Sequence, residues 1–345
     1  MPPSNTKQWY LPGKGTGFDS LAFIDAPVPK VGENEVLVKL HAASLNFRDL
    51  AIATGLYPLP TKTPVVVGSD GAGEVVEVGS RVSRWKKGDK VVTLFSQGHQ
   101  FGDVDSVATM TGLGGMLDGA LRQYGVFNES GLVRAPKNLS LVEASTLSCA
   151  ALTSWNALYG LKPLKPGGTV LVQGTGGVSV FGLQFAKAAG ATVIATTSTN
   201  EKAAVLKKLG ADHVINYKED PNWGETAKKL TRNGVGVDHI IEIGGAGTLE
   251  QSLKAIKLEG VISIIGFVAG LEVKASLIEC LNHCCIARGV YVGSRALMED
   301  MLAAIEANDI HPVVDPRVFS FEDAREAYEY MGGMKHFGKV VIKIE

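Results

Sequence analysis

The sequence predicts an α/β protein with a doubly wound parallel sheet in the middle, a β-rich part before it and a returning segment after it. Three observations carry this prediction. From about Leu141 onward, short apolar runs alternate with amphipathic helical stretches, the pattern of βαβ units with a sheet covered on both faces. Before that point apolar and polar residues alternate at period two, with Gly, Pro and Asp between the runs. The length of 345 residues exceeds one ordinary core and favours two domains.

Taken in order, Glu35–Leu45 alternates cleanly, and further apolar runs lie at Pro64–Val78, Asp89–Phe95 and Leu121–Phe127. Phe95–Gly119 is long and weakly periodic; segments of that kind either line binding sites or are solvated insertions. Val142–Leu158 has helical spacing. Strands are expected at Thr169–Gln173, Thr192–Ala195, His213–Ile215, Val237–Ile243 and Val261–Ile265. Between them, Val178–Ala189, Glu201–Leu209, Trp223–Leu230 and Leu249–Leu258 read as helices. Leu297–Ala307 and Phe321–Met331 follow as helices, and Val340–Ile344 closes the chain as a strand.

Composition excludes several roles. Apolar residues make up 45%, too many for a disordered chain. Lys plus Arg (34) nearly balances Asp plus Glu (35), without a basic block, which argues against nucleic acid or an anionic membrane surface. Met1–Tyr10 is polar, and no run approaches the roughly 18 apolar residues of a membrane span. The expectation is a cytoplasmic protein. Its four cysteines, Cys149, Cys280, Cys284 and Cys285, are too few for a disulfide framework and are expected as reduced thiols.

Gly174-Thr175-Gly176-Gly177-Val178-Ser179 follows an apolar run and opens a helix, the setting in which such a loop binds the pyrophosphate of a dinucleotide. Gly174 permits the tight turn, Gly176 lets the backbone approach the phosphates, and free N–H groups at the helix start face the anion. Ser179 stands at the third glycine position and is small enough for close helix packing. An acid about 20 positions after the first glycine would bind the ribose diol of NAD. Here Ala195-Thr196-Thr197-Ser198-Thr199-Asn200 has no acid, and Lys202 follows. Hydroxyls and a lysine suit the 2′-phosphate of NADP better, with NAD still possible.

At this point the chain resembles the medium-chain dehydrogenase/reductase superfamily, most of all its zinc-independent, quinone oxidoreductase-like branch. The resemblance rests on Ser44-Leu45-Asn46-Phe47-Arg48-Asp49-Leu50, Val67-Gly68-Ser69-Asp70-Gly71-Ala72-Gly73-Glu74, Leu152-Thr153-Ser154-Trp155-Asn156-Ala157-Leu158 and the 174–179 loop. Leu209-Gly210-Ala211-Asp212-His213-Val214-Ile215-Asn216-Tyr217 and Phe337-Gly338-Lys339-Val340-Val341 add to it. It implies a GroES-like β-barrel domain over residues 1–150, a Rossmann NAD(P)-binding domain over 151–293 and a return segment, 294–345, that completes the barrel domain. It also implies an active cleft between the domains and commonly a homodimer.

By the same resemblance, the catalytic zinc ligands of relatives correspond to Asn46, Ser69 and Cys149. A single soft ligand cannot hold a tetrahedral zinc, so no metal is expected. The structural zinc of relatives needs four cysteines in a lobe matching Phe95–Gly119, which has none. Cys280-Leu281-Asn282-His283-Cys284-Cys285 lacks CxxC spacing and a second ligand pair; buried or interfacial thiols are expected there.

Without a metal, hydrogen-bond donors must steady the charge that develops on the substrate oxygen. Asn46 and Tyr57 are the catalytic candidates, beside Arg48 and Ser69; Asn46 could instead cap a local turn and Tyr57 could simply pack. By family position Thr153 lies beside the nicotinamide, and Ser198 and Tyr217 flank the adenosine phosphate. Gly266, Phe267, Gly293 and Ser294 are expected at the ends of the fifth and sixth strands, next to the nicotinamide half. Phe337-Gly338-Lys339 is expected to close over the cofactor. Small-molecule partners follow: an enone or quinone reduced at C=C by NADPH, or alternatively a carbonyl or alcohol substrate. A non-enzymatic NADPH-binding relative is the reading of another class.

Overall fold

The structure is a computed structural model that describes residues 3–270 and 276–344, so the first two residues of the polar Met1–Tyr10 stretch lie outside it. Contacts divide the chain into two compact units, Met1–Leu152 with Val292–Glu345 and Thr153–Tyr291. No helix among the described residues is long and apolar enough to cross a membrane.

The second unit is a parallel sheet. Its strands are β1 (Thr169–Gln173), β2 (Thr192–Thr197), β3 (His213–Asn216), β4 (Val237–Glu242), β5 (Ile256–Ile264) and β6 (Ile286–Gly289). Among the described residues they lie in the order β3-β2-β1-β4-β5-β6, every neighbouring pair parallel. This is the Rossmann order, in which the direction of winding reverses between β1 and β4 and opens a crevice at the carboxyl ends of those strands. The central strand shows why its sequence is a continuous apolar run: Val170, Leu171 and Val172 are fully buried, as a strand covered on both faces must be.

Two boundaries differ from the sequence reading. The helix expected over Leu249–Leu258 ends at Ala255, and β5 starts at once at Ile256. The ladder then skips from Val237↔Ile256 to His239↔Val261, around Glu259 at φ 57°. A bulge, invisible to periodicity, absorbs the extra residues. The sixth strand ends at Gly289, so Gly293 and Ser294 do not terminate it. They fall in the first unit, where Ser294 Oγ caps the helix Arg295–Ala307 by accepting from Leu297 N at 3.3 Å.

The first unit is built on the long strand Glu35–Ser44. One edge pairs antiparallel with Asp70–Val78; the other pairs with Tyr124–Asn128 in its first half and with the returning Val341–Lys343 in its second. Lys90–Thr93, Leu132–Arg134 and Phe319–Ser320 extend this sheet, and Asn5–Leu11, Ala22–Pro27 and Val65–Val66 form a smaller one. The antiparallel layers enclose Val36, Val38, Leu40, Val75, Leu121 and Ile342, all buried, which accounts for the period-two alternation. Both ends of the chain therefore contribute to one core.

Two more expectations are refined. The helical stretch Val142–Leu158 is broken into Leu141–Ala144 and Leu152–Tyr159 by a π-turn over Leu147–Ala151 that carries Cys149. Such turns recur at functional sites. The Phe95–Gly119 segment is ordered around a short helix, Ser106–Met110, capped by Asp105.

Candidate active site

The glycine loop sits at the carboxyl end of β1. Gly174 has φ 72°, a left-handed turn that other residues adopt at a cost. A Cβ placed on Gly174 or on Gly176 would meet no atom of the described residues within 4 Å, so among them the space over both is open. The helix Gly177–Ala188 starts directly behind. Its first intrahelical bond runs from Val180 N to Gly176 O at 3.0 Å. The N–H groups of Gly177, Val178 and Ser179 at the helix start therefore have no helical acceptor. An open cradle beside free backbone donors fits a pyrophosphate.

Ser179 is buried and its hydroxyl donates to Gln173 O at 2.5 Å, tying the helix start to the strand end. The glycine that permits close packing is one turn further on. A Cβ on Gly182 would lie 2.2 Å from Ile241 Cδ1, so Gly182 takes the role that the fingerprint gives to its third glycine. The glycine fingerprint ends at Ser179, one turn short of Gly182.

The parallel register sets Thr197 opposite Asn216. This brings Ser198 and Tyr217 to one edge, with Tyr217 N donating to Thr197 O at 3.0 Å. Thr199 caps the helix Asn200–Lys208 by accepting from Lys202 N, which puts Lys202 in the first turn beside Ser198. Gly266 and Phe267 follow β5 and are held against β4 by Gly266 N to Glu242 O (3.3 Å) and Val268 N to Ile243 O (3.1 Å). Thr153 is buried in the helix Leu152–Tyr159. Beneath the crevice, Glu242 is fully buried and accepts from Gln173 Nε2 (2.7 Å), Gly244 N (2.9 Å) and Gly245 N (3.0 Å), and also from the Thr248 and Ser252 hydroxyls. Gln173 and Glu242 thus join the carboxyl ends of β1 and β4, where the winding reverses.

In the first unit, three strand ends meet. Ser44 and Asp70 are opposite each other in the ladder, and Val341 pairs with Ser44 on the other side. Asn46 and Ser69 flank that point, and Lys339 arrives just before the returning strand. All five of Ser44, Asn46, Ser69, Asp70 and Lys339 are buried. The Lys339 ammonium spends its three donors on Leu45 O (2.8 Å), Asn46 Oδ1 (2.5 Å) and Asp70 Oδ2 (3.1 Å). Asp70 Oδ2 also accepts from Ser44 Oγ at 2.8 Å. A buried ammonium is tolerable only when paired and fully bonded in this way. Lys339 therefore belongs to the barrel cluster, whereas the sequence reading gave it to a cofactor lid. A lysine within the apolar run Lys339-Val340-Val341-Ile342 was the available signal.

The consequence for Asn46 is a fixed amide. Its Oδ1 faces Lys339 and its Nδ2 donates to Ser69 Oγ at 3.2 Å. One N–H of that amide has no acceptor among the described residues. Asn46 does stand at the start of the helix Phe47–Ala53, and its backbone N donates to Asp49 Oδ2 at 2.8 Å. Ser69 Oγ lies 2.8 and 2.9 Å from the two Asp49 oxygens. Burial raises the Asp49 carboxyl, against the pull of the neighbouring Arg48 cation.

Arg48 stacks on Phe95 (4.7 Å) and on Tyr57 (5.1 Å), donates to Leu113 O at 2.8 Å and lies 3.6 Å from Asp49 Oδ1. It pins the 95–119 segment to the cluster. The half-buried Tyr57 has its hydroxyl 3.5 Å from Arg48 Nε, and the hydroxyl proton has no acceptor among the described residues.

The positions that would ligate zinc do not fit a zinc ion. Asn46 and Ser69 are neutral oxygen and nitrogen groups already bonded to one another. Asp70 is neutralised by Lys339. Cys149, whose thiol burial and the Asp70 charge push up to about 12, is the one sulfur among these positions, and a single soft ligand does not hold a tetrahedral zinc. No group of three or more His, Cys, Asp or Glu side chains suited to a metal occurs among the described residues.

Known proteins agree with this architecture. A family model described as alcohol dehydrogenase GroES-like domain matches residues 32–137, and one described as zinc-binding dehydrogenase matches residues 177–307. A zinc-type alcohol dehydrogenase-like protein of Schizosaccharomyces pombe is 52% identical, over 96% of this chain and 97% of its own. The chain belongs to the medium-chain dehydrogenase/reductase superfamily. Among solved members of that superfamily, an NAD-dependent alcohol dehydrogenase is 32% identical with a TM-score of 0.88, covering 98% of this chain and 100% of that one. A quinone oxidoreductase of Pseudomonas syringae pv. Tomato DC3000 is 26% identical with a TM-score of 0.83, covering 98% and 99%. This medium-chain dehydrogenase/reductase is an NAD(P)-dependent oxidoreductase acting on small molecules.

Proposed function

We propose that the protein is an NADPH-dependent reductase that needs no zinc and transfers hydride to the activated C=C bond of an enone or quinone. The observation that carries the reading is the Asn46 amide. It stands at a metal-ligand position, is oriented by Lys339 and keeps one N–H uncommitted. When bound, the nicotinamide supplies the hydride.

Asn46 then acts as the electrophilic partner. Its spare N–H donates to the substrate oxygen, and that bond strengthens as hydride reaches the β-carbon and negative charge collects on the oxygen. A donor held beforehand by Lys339 and Ser69 needs no reorganisation at that moment, and one such donor is worth about 10²–10³ in rate. Tyr57 supplies the proton that neutralises the enolate, and Arg48 faces the oxygen left charged. On the cofactor side Gly174, Thr175, Gly176, Gly177 and Val178 bind the pyrophosphate. Ser198, Lys202 and Tyr217 receive the 2′-phosphate, since no carboxylate ends β2. Thr153, Gly266 and Phe267 serve the nicotinamide half. Gly293 and Ser294 stay in the proposal as neighbours of the cofactor, although the Ser294 hydroxyl is already used as a cap.

Reduction of a carbonyl by the same donors is the second reading, favoured by the alcohol dehydrogenase names of relatives. Incubating the pure enzyme with an enone and NADPH distinguishes the two. The saturated ketone is expected, and formation of the allylic alcohol alone would overturn the C=C reading.

A further inference from the structure

The cysteine-rich segment 280–285 lies outside both parts of the candidate site. The helix Ile278–Asn282 ends there in a Schellman motif: Cys285 N donates to Cys280 O at 3.0 Å, and Cys284 N donates to Leu281 O at 3.1 Å. Cys284 provides the left-handed residue this ending requires, at φ 44°, where glycine is usual. The motif brings together the side chains of the third-last helical residue and the second residue past the cap, normally two hydrophobic groups. Here the residues at those two positions are Cys280 and Cys285.

We infer that Cys280 and Cys285 form a redox-active dithiol, which hydrogen peroxide converts to an intrachain disulfide and thiols restore. Two further observations support this. Both side chains are only half-buried, so oxidant reaches them. Only four residues separate them along the chain, so closing the ring demands little further ordering of a turn that the backbone bonds already hold. Cys284 is more exposed still, but it is the residue adjacent to Cys285. Adjacent cysteines bridge only through a strained eight-membered ring, which disfavours that pairing.

The chemistry balances with a peroxide as the two-electron oxidant. One thiol sulfur attacks the peroxide oxygen; the O–O bond breaks, and a sulfenic acid and one water form. The second sulfur displaces the sulfenic hydroxyl, so the S–S bond forms, the S–O bond breaks and a second water leaves. The two thiols lose two protons and two electrons in total. Burial, with Cys280 beside it, pushes the Cys285 thiol up to about 11. This favours Cys285 as the resolving partner that stays protonated until the sulfenic acid forms.

The test uses the intact protein in its native state, treated with hydrogen peroxide, alkylated and digested for mass spectrometry. The peptide carrying residues 280–285 is expected to lose two hydrogens, to fragment as a Cys280–Cys285 link and to regain both hydrogens with dithiothreitol. Cys284→Ser is expected to retain the link, and Cys280→Ser and Cys285→Ser to lose it. A bridge through Cys284, a bridge between two chains, or alkylation of Cys280 and Cys285 unchanged by peroxide would overturn the inference.

Discussion

The glycine loop and the barrel cluster are both assembled at strand ends, yet they are encoded in opposite ways. The loop is ten contiguous residues, Gln173–Gly182, and its function is a property of backbone: a left-handed turn, an open cradle and free helix-start donors. The cluster is a property of side chains brought from distant places, with Lys339 and Asn46 separated by 293 positions. The first can be recognised by spacing alone, whereas the second exists only once the strand at Val341 has returned to pair with Ser44. Local signals suffice where the backbone does the binding; long-range packing decides where side chains do the chemistry.

Four single substitutions test this contrast. Lys339→Met should have the largest effect, costing about 3–5 kcal/mol in equilibrium unfolding because Asp70 is left charged and unpaired in the interior. Adding Asp70→Asn should recover much of that loss. A cost below about 1 kcal/mol would mean that the ammonium does not hold the cluster together. Next come two glycines of one ten-residue stretch that the structure separates. Gly176→Ala should leave thermal stability unchanged and weaken NADPH by at least about tenfold, because its methyl enters the cradle where no atom of the described residues stands. Gly182→Ala should do the reverse, losing about 1–3 kcal/mol of stability as its methyl meets Ile241. Equal effects of the two would erase the distinction between a binding glycine and a packing glycine. The smallest effect is expected at Lys202→Ala, which should weaken NADPH about tenfold and NADH little, read by titration of cofactor fluorescence. Equal losses would mean that Lys202 does not receive the 2′-phosphate.

Much of the parallel sheet was legible because a strand buried on both faces leaves an unmistakable apolar run, as in Thr169–Gln173. Where the reading slipped, a local backbone event was responsible. The bulge at Glu259 lengthened β5 backward at the expense of a helix, and the π-turn at Leu147–Ala151 interrupted a helix whose periodicity continued through it. In the site, Asn46 and Ser69 were legible only as departures from a family pattern. Their geometry was not, because Lys339 fixes it from the far end of the chain. The Cys280–Cys285 contact was hidden for a related reason. Its spacing matches no metal motif, and it makes sense only as the side-chain contact of a helix ending.

In the proposed function a fixed amide donor, not a metal, carries the electrophilic role. The most direct measurement is NADPH-dependent enone reduction by protein dialysed against 1,10-phenanthroline, with metal content determined on the same sample. Turnover is expected to be undiminished with zinc far below one ion per chain, and to fall about 10²–10³ on Asn46→Ala. Activity that disappears with the chelator and returns with added zinc would contradict it.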